Sequence, residues 1–240
     1  MDATVAPGDI MRAMIRTMVG GAETEMAAVA DAGTKGRKNP EERIRARNEA
    51  KILKAAVELF SRKGFDGTRI AEIAEASELP KANVYYYFST KEEIYTRLIE
   101  SVLEGWDKAL EHIQPDSEPR EALTAYVAAK LDYSRQHAAE SRFFANEMMR
   151  GGTFLTRKQK HHMQEITRDR AAVVEGWIRA GKMAPVDPRH FFILLWSATQ
   201  FYGDFEAIAA PVLDKSRLTK ADFAEAADTI TKTILAGCLA

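Results

Sequence analysis

From Glu41 almost to the C-terminus, apolar residues recur at spacings of three and four, and no stretch alternates apolar with polar between turn signals. That spacing excludes sheet folds, because a strand turns its side chains over every second residue while a three-and-four stripe lies along one side of a helix. The chain is therefore expected to be all-α. Ile52, Leu53, Ala56, Val57, Leu59 and Phe60 form one stripe and Gly64 supplies a stop, which defines a first helix. Thr68 stands where an N-cap would open a short second helix carrying Ile70, Ile73 and Ala74. Ser77 to Pro80 break it, and a third helix runs from about Lys81 to Phe88, with Pro80 in its first turn, where a missing N–H has no partner to lose. Ser89-Thr90 caps a fourth helix, with Glu92 and Glu93 at its positive dipole end, continuing through Ile94, Leu98, Val102 and Trp106.

The run Gln114-Pro115-Asp116-Ser117-Glu118-Pro119 is the clearest linker. Beyond it helices are expected at about 119–137, 139–150, 153–181, 187–209 and 219–237, with Gly151-Gly152, Gly181, Pro185 and Pro211 as stops, and a block of this kind packs as an antiparallel bundle. The domain reading is a disordered tail over 1–38, a DNA-binding unit over 39–100 with its helix-turn-helix at about 69–88, and a C-terminal unit over 101–240 for effector binding and dimerisation. The tail is rich in Ala, Gly and Met. Arg12 and Arg16 are followed by Glu23 and Glu25 with no apolar core segment between, which argues against a signal peptide. A solvated tail is preferred there over an amphipathic membrane-surface helix spanning Ile10 to Val19.

Composition limits the function classes. Cys238 is the single cysteine, so no intramolecular disulfide forms, which fits a reducing, cytoplasmic setting. No apolar run approaches the roughly 18 residues of a membrane span, so no membrane association is expected. Enzyme signatures are absent: there is no G-x-S-x-G, no H-E-x-x-H and no strand-borne phosphate loop. His161 and His162 are adjacent and so lie on different helix faces, which favours a solvated pair over a metal site. The expectation is a non-enzyme with no cofactor and no metal. The net charge of -1 gives no general attraction to nucleic acid, but between Lys35 and Lys91 thirteen bases face eight acids, leaving this segment at +5 and the rest at about -6.

Two short helices joined by a tight turn within that basic segment are the parts of a helix-turn-helix, whose second helix enters a major groove. Asn83 suits an adenine edge, Lys81 a guanine or a phosphate, and the tyrosine hydroxyls phosphate oxygens. Thr68, Arg69 and Lys91 flank the unit as phosphate clamps. Val84, Tyr85 and Phe88 are read as its core face, so among Tyr85, Tyr86 and Tyr87 at least one must point outward.

The motifs Ala-x-x-Leu-Phe, Gly-Phe-x-Gly-Thr, Ile-Ala, Tyr-x-Tyr-Phe and Lys-Glu all stand in register between Ile52 and Tyr95. This stretch resembles the N-terminal domain of TetR-family transcriptional regulators. The resemblance implies a recognition helix over Lys81–Tyr87 with Lys81, Ala82, Asn83, Tyr86 and Tyr87 toward DNA, and puts Tyr86, Tyr87 and Lys91 at positions that contact DNA in relatives. This chain departs from the family in having Ser77-Glu78 where Ala-Gly is usual and Pro80 where a serine often caps. A glutamate held at positive φ costs on the order of 1 kcal/mol.

The segments SRFFANEMMRGG, VEGWIRAGKMAPVDPRHFFILLWSATQFYGDF and ILAGCLA are similar to a branch of that family that controls pyrimidine utilisation and responds to uracil or thymine. Trp196 and Gln200 are four apart on one helix face, with Thr199 and Gly203 adjoining. An indole stacks on a flat ring, and a Gln amide offers one donor and one acceptor to a uracil edge. A core Trp with Gln facing solvent or a partner subunit stands beside that reading. Trp106, Phe143, Asn146 and Glu147 are candidates for the opposite wall, and Met148, Met149 and Met163 are read as gap-filling core. The whole implies a homodimeric repressor of a palindromic operator, with half-sites roughly 34–36 Å apart, a hinge at the fourth helix, and dimer contacts around Pro188–Phe205 and Thr219–Ala236. The rival readings are a TetR-type repressor responding to a lipid or drug, and a helix-bundle interaction protein without DNA function.

Overall fold

Gly64 ends the first helix as its position predicts: it holds φ at 70°, and its N–H bonds the Phe60 carbonyl at 2.9 Å. The computed structural model describes residues 39–239, so the expected tail over 1–38 lies outside the described residues. It divides into two units, residues 1–48 and 49–240. Of the first, the described part is the start of helix α1 (Pro40–Lys63). The second contains the rest of α1, α2 (Ile70–Ala76), α3 (Lys81–Tyr87), α4 (Lys91–Leu110), α5 (Pro119–Gln136), α6 (Ala138–Met149), α7 (Arg157–Arg179), α8 (Pro188–Asp204), α9 (Glu206–Val212) and α10 (Lys220–Cys238). Among the described residues there is no strand, and no helix is long and apolar enough to cross a membrane.

Thr68 is not the N-cap that the sequence predicts. It is buried, and its hydroxyl donates to the Gly64 carbonyl at 2.9 Å, closing the turn between α1 and α2 from inside. The N-cap of α2 is Arg69, whose backbone N–H is taken by the Glu72 carboxylate at 2.9 Å. At the other end of α2 the chain reverses on Glu78, held at φ 56°. Leu79 N–H reaches back to the Ala74 carbonyl and Glu78 N–H to that of Glu75, each at 3.1 Å, so the left-handed residue is what satisfies the last carbonyls of α2.

On α3, Val84 and Phe88 are buried and Tyr87 packs against them, while Tyr85 is 47% exposed. This corrects the assignment of Tyr85 to the core. Residues 84, 87 and 88 lie three and four apart on one face, whereas Tyr85 is a neighbour of Lys81, whose ammonium sits 5.7 Å from its ring centroid.

Beyond α4 the expected antiparallel bundle forms, with α5 central between α8 and α10. Leu123, Tyr126, Val127, Val174, Trp177, Phe192 and Leu195 belong to its core. Three boundaries differ from expectation. The helix expected over 153–181 begins only at Arg157, because Gly151 and Gly152 hold positive φ and Thr156 then caps with Gln159 in a reciprocal pair. The helix expected over 187–209 breaks at Phe205, which leaves helical geometry at φ -120° and ψ 38°. Pro211 is not a stop but sits inside the short α9. Met149 is also misread as core, being 69% exposed.

Replacing Glu78 by glycine is expected to raise stability by about 1 kcal/mol, through relief of the left-handed strain. The exposed Lys51–Glu78 ion pair at 3.8 Å that it removes is worth little. For a domain of this size a thermal melt is expected to shift up by about 2–4 °C, and a downward shift would show that the turn needs the glutamate.

Candidate functional site

Two features carry chemistry. The first is the outer face of α2 and α3, where Arg69, Lys81, Ala82, Asn83, Tyr85 and Tyr86 are all exposed, Tyr86 by 74%. Tyr87 is half-buried, its ring 5.1 Å from that of Tyr86 in an edge-on pair. Thr68 offers no exposed side chain here, so its assignment as a phosphate clamp is replaced by a structural role. Lys91 is half-buried, and its ammonium donates to the carbonyls of Phe65 at 2.8 Å and Thr68 at 2.9 Å while lying 4.1 Å from the Phe65 ring centroid. Two of its three donors are thereby spent on holding the α1–α2 turn.

The second is a cavity of about 340 Å³ inside the bundle, at the small end of the roughly 300–1,000 Å³ typical of ligand sites. Helix α4 contributes Trp106 and Asp107, α5 Tyr126 and Lys130, α6 Phe144 and Met148, α7 Met163 and Thr167, and α8 Trp196, Gln200 and Asp204. Of the residues the sequence assigns to an effector, Trp106, Trp196 and Gln200 meet here. The other three do not. Phe143 packs its ring 4.6 Å from Tyr95, Asn146 donates to the Ser61 carbonyl at 3.0 Å, and the Thr199 hydroxyl bonds back to the Leu195 carbonyl of its own helix at 2.7 Å. Glu147 is buried on the same side as Phe143, accepting from the Tyr95 hydroxyl at 3.0 Å and from Phe154 N–H at 2.7 Å. Helix α6 thus turns one face to the cavity and the next to α1 and α4.

Lys130 and Asp204 are the cavity residues that sequence reasoning missed. A signal for the lysine existed: positions 123, 126, 127, 130, 131 and 134 form the buried stripe of α5, and Lys130 stands in it among Leu123, Tyr126, Val127 and Leu131. Its side chain is only 1% exposed and its ammonium lies 4.0 Å from the centroid of the Trp106 ring. Asp204 accepts from the Ser141 hydroxyl, and burial raises its pKa against the opposing pull of that hydroxyl and of Lys130. Asp107 is engaged by His162 Nε2 at 2.6 Å. The Trp106 Nε1–H, by contrast, is buried with no hydrogen-bond partner. Among the described residues no group of three or more His, Cys, Asp or Glu side chains is placed to hold a metal. The cavity therefore combines flat aromatic walls, one reversible amide, the unpartnered Trp106 Nε1–H and a Tyr126 hydroxyl able to donate or accept, a combination suited to a small planar ring with polar edges.

Residues 52–98 match the family described as bacterial regulatory proteins, tetR family, and residues 99–240 match the YcdC-like protein C-terminal region. The HTH-type transcriptional regulator RutR of Escherichia coli strain K12 is 32% identical over 186 residues, covering 78% of this chain and 88% of RutR. The HTH-type transcriptional repressor NicS of Pseudomonas putida is 27% identical over 162 residues, covering 65% of this chain and 76% of NicS. The structure of AibR in complex with isovaleryl coenzyme A and operator DNA aligns with a TM-score of 0.59 at 21% identity, over 78% of this chain and 97% of AibR. The ketosteroid transcriptional regulator KstR2 of Mycobacterium tuberculosis aligns with a TM-score of 0.59 at 14% identity, over 80% and 95% of the two chains. These two structures show the fold.

Burial pulls the Lys130 ammonium from 10.5 down to about 7, against the attraction of Asp204. Between those values the unfolded chain holds a proton that the folded one has released, so this group makes stability rise as the pH climbs above 7. Urea unfolding is expected to show that rise between pH 7 and 9, with a slope of at most about 1.4 kcal/mol per pH unit. The Lys130→Met variant is expected to lack it, and an unchanged slope in the variant would assign the effect elsewhere.

Proposed function

Because the chain belongs to the TetR family of bacterial transcriptional regulators, we propose that it is a cytoplasmic repressor that binds a palindromic operator as a homodimer and releases it when a pyrimidine, uracil or thymine, enters the bundle cavity. Its relatives and fold neighbours are regulators and not enzymes. The observation that carries the pyrimidine reading is the meeting of Trp106, Trp196 and Gln200 in one cavity of about 340 Å³. The indoles stack on the ring, and the Gln200 amide pairs with an adjacent C=O and N–H. The likeness of the C-terminal half to the pyrimidine-responsive branch supports the same ligand.

On this reading residues 39–100 are the DNA-binding unit and 101–240 the effector and dimer unit. Asn83 and Lys81 read base edges, while Arg69 and the Tyr86 and Tyr87 hydroxyls hold phosphates. Lys91 has one donor left for a phosphate. Ile193, Leu194, Phe201, Phe205, Ile208, Val212 and Leu213, on α8, at the break after it, on α9 and at the α9 C-cap, are large, apolar and exposed, which supports dimerisation through this side of the bundle. An effector releases DNA only if it prefers the pose in which the two recognition helices miss the roughly 34 Å half-site spacing. Helix α4 is the hinge, since Tyr95 and Leu98 near its start are buried beside α1 and Trp106 and Asp107 near its end line the cavity.

A second reading, a longer lipid or drug effector, draws on the open groove of about 930 Å³ along α7 and α8, which shares Met163, Thr167 and Trp196 with the cavity.

Fluorescence anisotropy of the protein on DNA from its own promoter region, at stated salt, tests the proposal. Micromolar uracil or thymine is expected to release the DNA, and Gln200→Ala to abolish release while leaving DNA affinity intact. Tight binding with no response to pyrimidines would favour the longer effector. Tyr86→Ala is expected to weaken operator binding at least about tenfold, the worth of one or two phosphate contacts to a charged partner, while the melting temperature and the dimer mass by light scattering stay unchanged.

A further inference from the structure

Lys130 is fully buried, and its ammonium makes no hydrogen bond and no ion pair among the described residues. Its one favourable neighbour is the face of the Trp106 ring, 4.0 Å from the ammonium, and a buried cation with no anion or hydrogen-bond acceptor destabilises a fold. The nearest acidic group across the cavity, Asp204, is too far for an ion pair and accepts from Ser141, and the other cavity carboxylate, Asp107, is engaged by His162. The Trp106 Nε1–H and the Tyr126 hydroxyl, which both line this cavity, are buried without a hydrogen-bond partner, so beside Lys130 one group there can only donate and one can donate or accept.

Gln200 by itself does not tell a 4-oxo from a 4-amino pyrimidine. Its amide rotates by half a turn to exchange donor and acceptor, so it matches the C=O and N–H edge of uracil and equally the amino and ring-nitrogen edge of cytosine. Discrimination requires a group that cannot reverse: burial brings the Lys130 pKa down to about 7, so below that pH it is an ammonium, which only donates, and a ligand oxygen beside it favours that form. Resting on the reading that the cavity takes a pyrimidine, we infer that Lys130 is the residue that sets ligand specificity, donating to the exocyclic oxygen on ring carbon 4 and so accepting uracil and thymine while rejecting cytosine. Cytosine turns an amino donor toward the lysine, which leaves the buried ammonium unpaired and adds a repulsive contact.

Isothermal titration of the full-length dimer with uracil, thymine and cytosine at pH 6, where Lys130 is mainly an ammonium, on the native protein and on Lys130→Met, tests the inference. The native protein is expected to favour uracil over cytosine at least about tenfold, as a charged hydrogen bond allows. Lys130→Met is expected to lose about tenfold or more in uracil affinity and to bring the two bases within about threefold of each other. Its melting temperature is expected to hold or rise, since an unpaired buried charge has been replaced by an apolar chain of similar volume. An unchanged uracil-to-cytosine ratio in the variant overturns the inference and leaves the pyrimidine reading standing. A lowered melting temperature with all ligands weakened alike overturns it by making Lys130 structural. If the native protein binds none of the three bases, the pyrimidine reading itself falls and the inference with it. The native protein supplies a second check: 4-thiouracil, whose sulfur is a weaker acceptor, is expected to bind more weakly than 2-thiouracil, and equal or reversed affinities overturn the assignment to carbon 4.

Discussion

The arrangement of this protein depends on one buried contact, the packing of Tyr95 between the α1 end of the molecule and α6. Its ring lies 4.9 Å from that of Phe60, 5.2 Å from Phe65, 4.6 Å from Phe143 and 4.7 Å from Phe154, and its hydroxyl donates to the buried Glu147 carboxylate. Burial first, and the neighbouring Glu147 carboxylate second, hold the Tyr95 phenol protonated far above its ordinary range, so it stays a donor at every physiological pH. Glu147 in turn fixes the loop after α6 through Phe154 N–H. Phe144 and Met148, on the same helix, line the cavity, so α6 packs at once against that space and against the close-packed rings of α1 and α4.

Two local costs are retained in this frame. Glu78 sits in a left-handed conformation that glycine would adopt without strain, and Lys130 is buried with no anion beside it. Each departs from what local stability favours, and each lies at one of the two features that carry chemistry: Glu78 in the turn that sets α3 against α2, Lys130 in the wall of the cavity. Departures of this kind concentrate where a site must be shaped for something other than the fold itself.

Much of this was legible residue by residue. The three-and-four stripe of α1 ends at Gly64 because a helix terminus has a local grammar, and Trp196 and Gln200 share a face because four residues make about one turn. The misassignments have equally definite causes. Three consecutive tyrosines carry no difference in hydropathy, so local sequence does not separate Tyr85 from Tyr87, and only the packing of α3 onto the N-terminal core selects Tyr87. Thr68 and Lys91 are the residue types that hold phosphates, but here the same donors close the α1–α2 turn. Phe143 and Asn146 lie on the correct helix, one face away from the cavity.

The sequence by itself determined the helices, their order, most of their ends and the buried stripe of α1, because these follow from backbone hydrogen bonding and side-chain spacing within a few residues. It also determined that α3 presents Asn83, Lys81 and Tyr86 together, since all lie within two turns. Only the tertiary structure decided that the buried stripe of α5 would open onto a cavity at Lys130, that Trp106 and Gln200, nearly a hundred positions apart, would face one space, and that α6 would turn one face to that space and another to Phe60 and Tyr95. Those relations depend on how helices pack across long stretches of chain, where many side chains jointly choose one arrangement and no short window of sequence records the outcome.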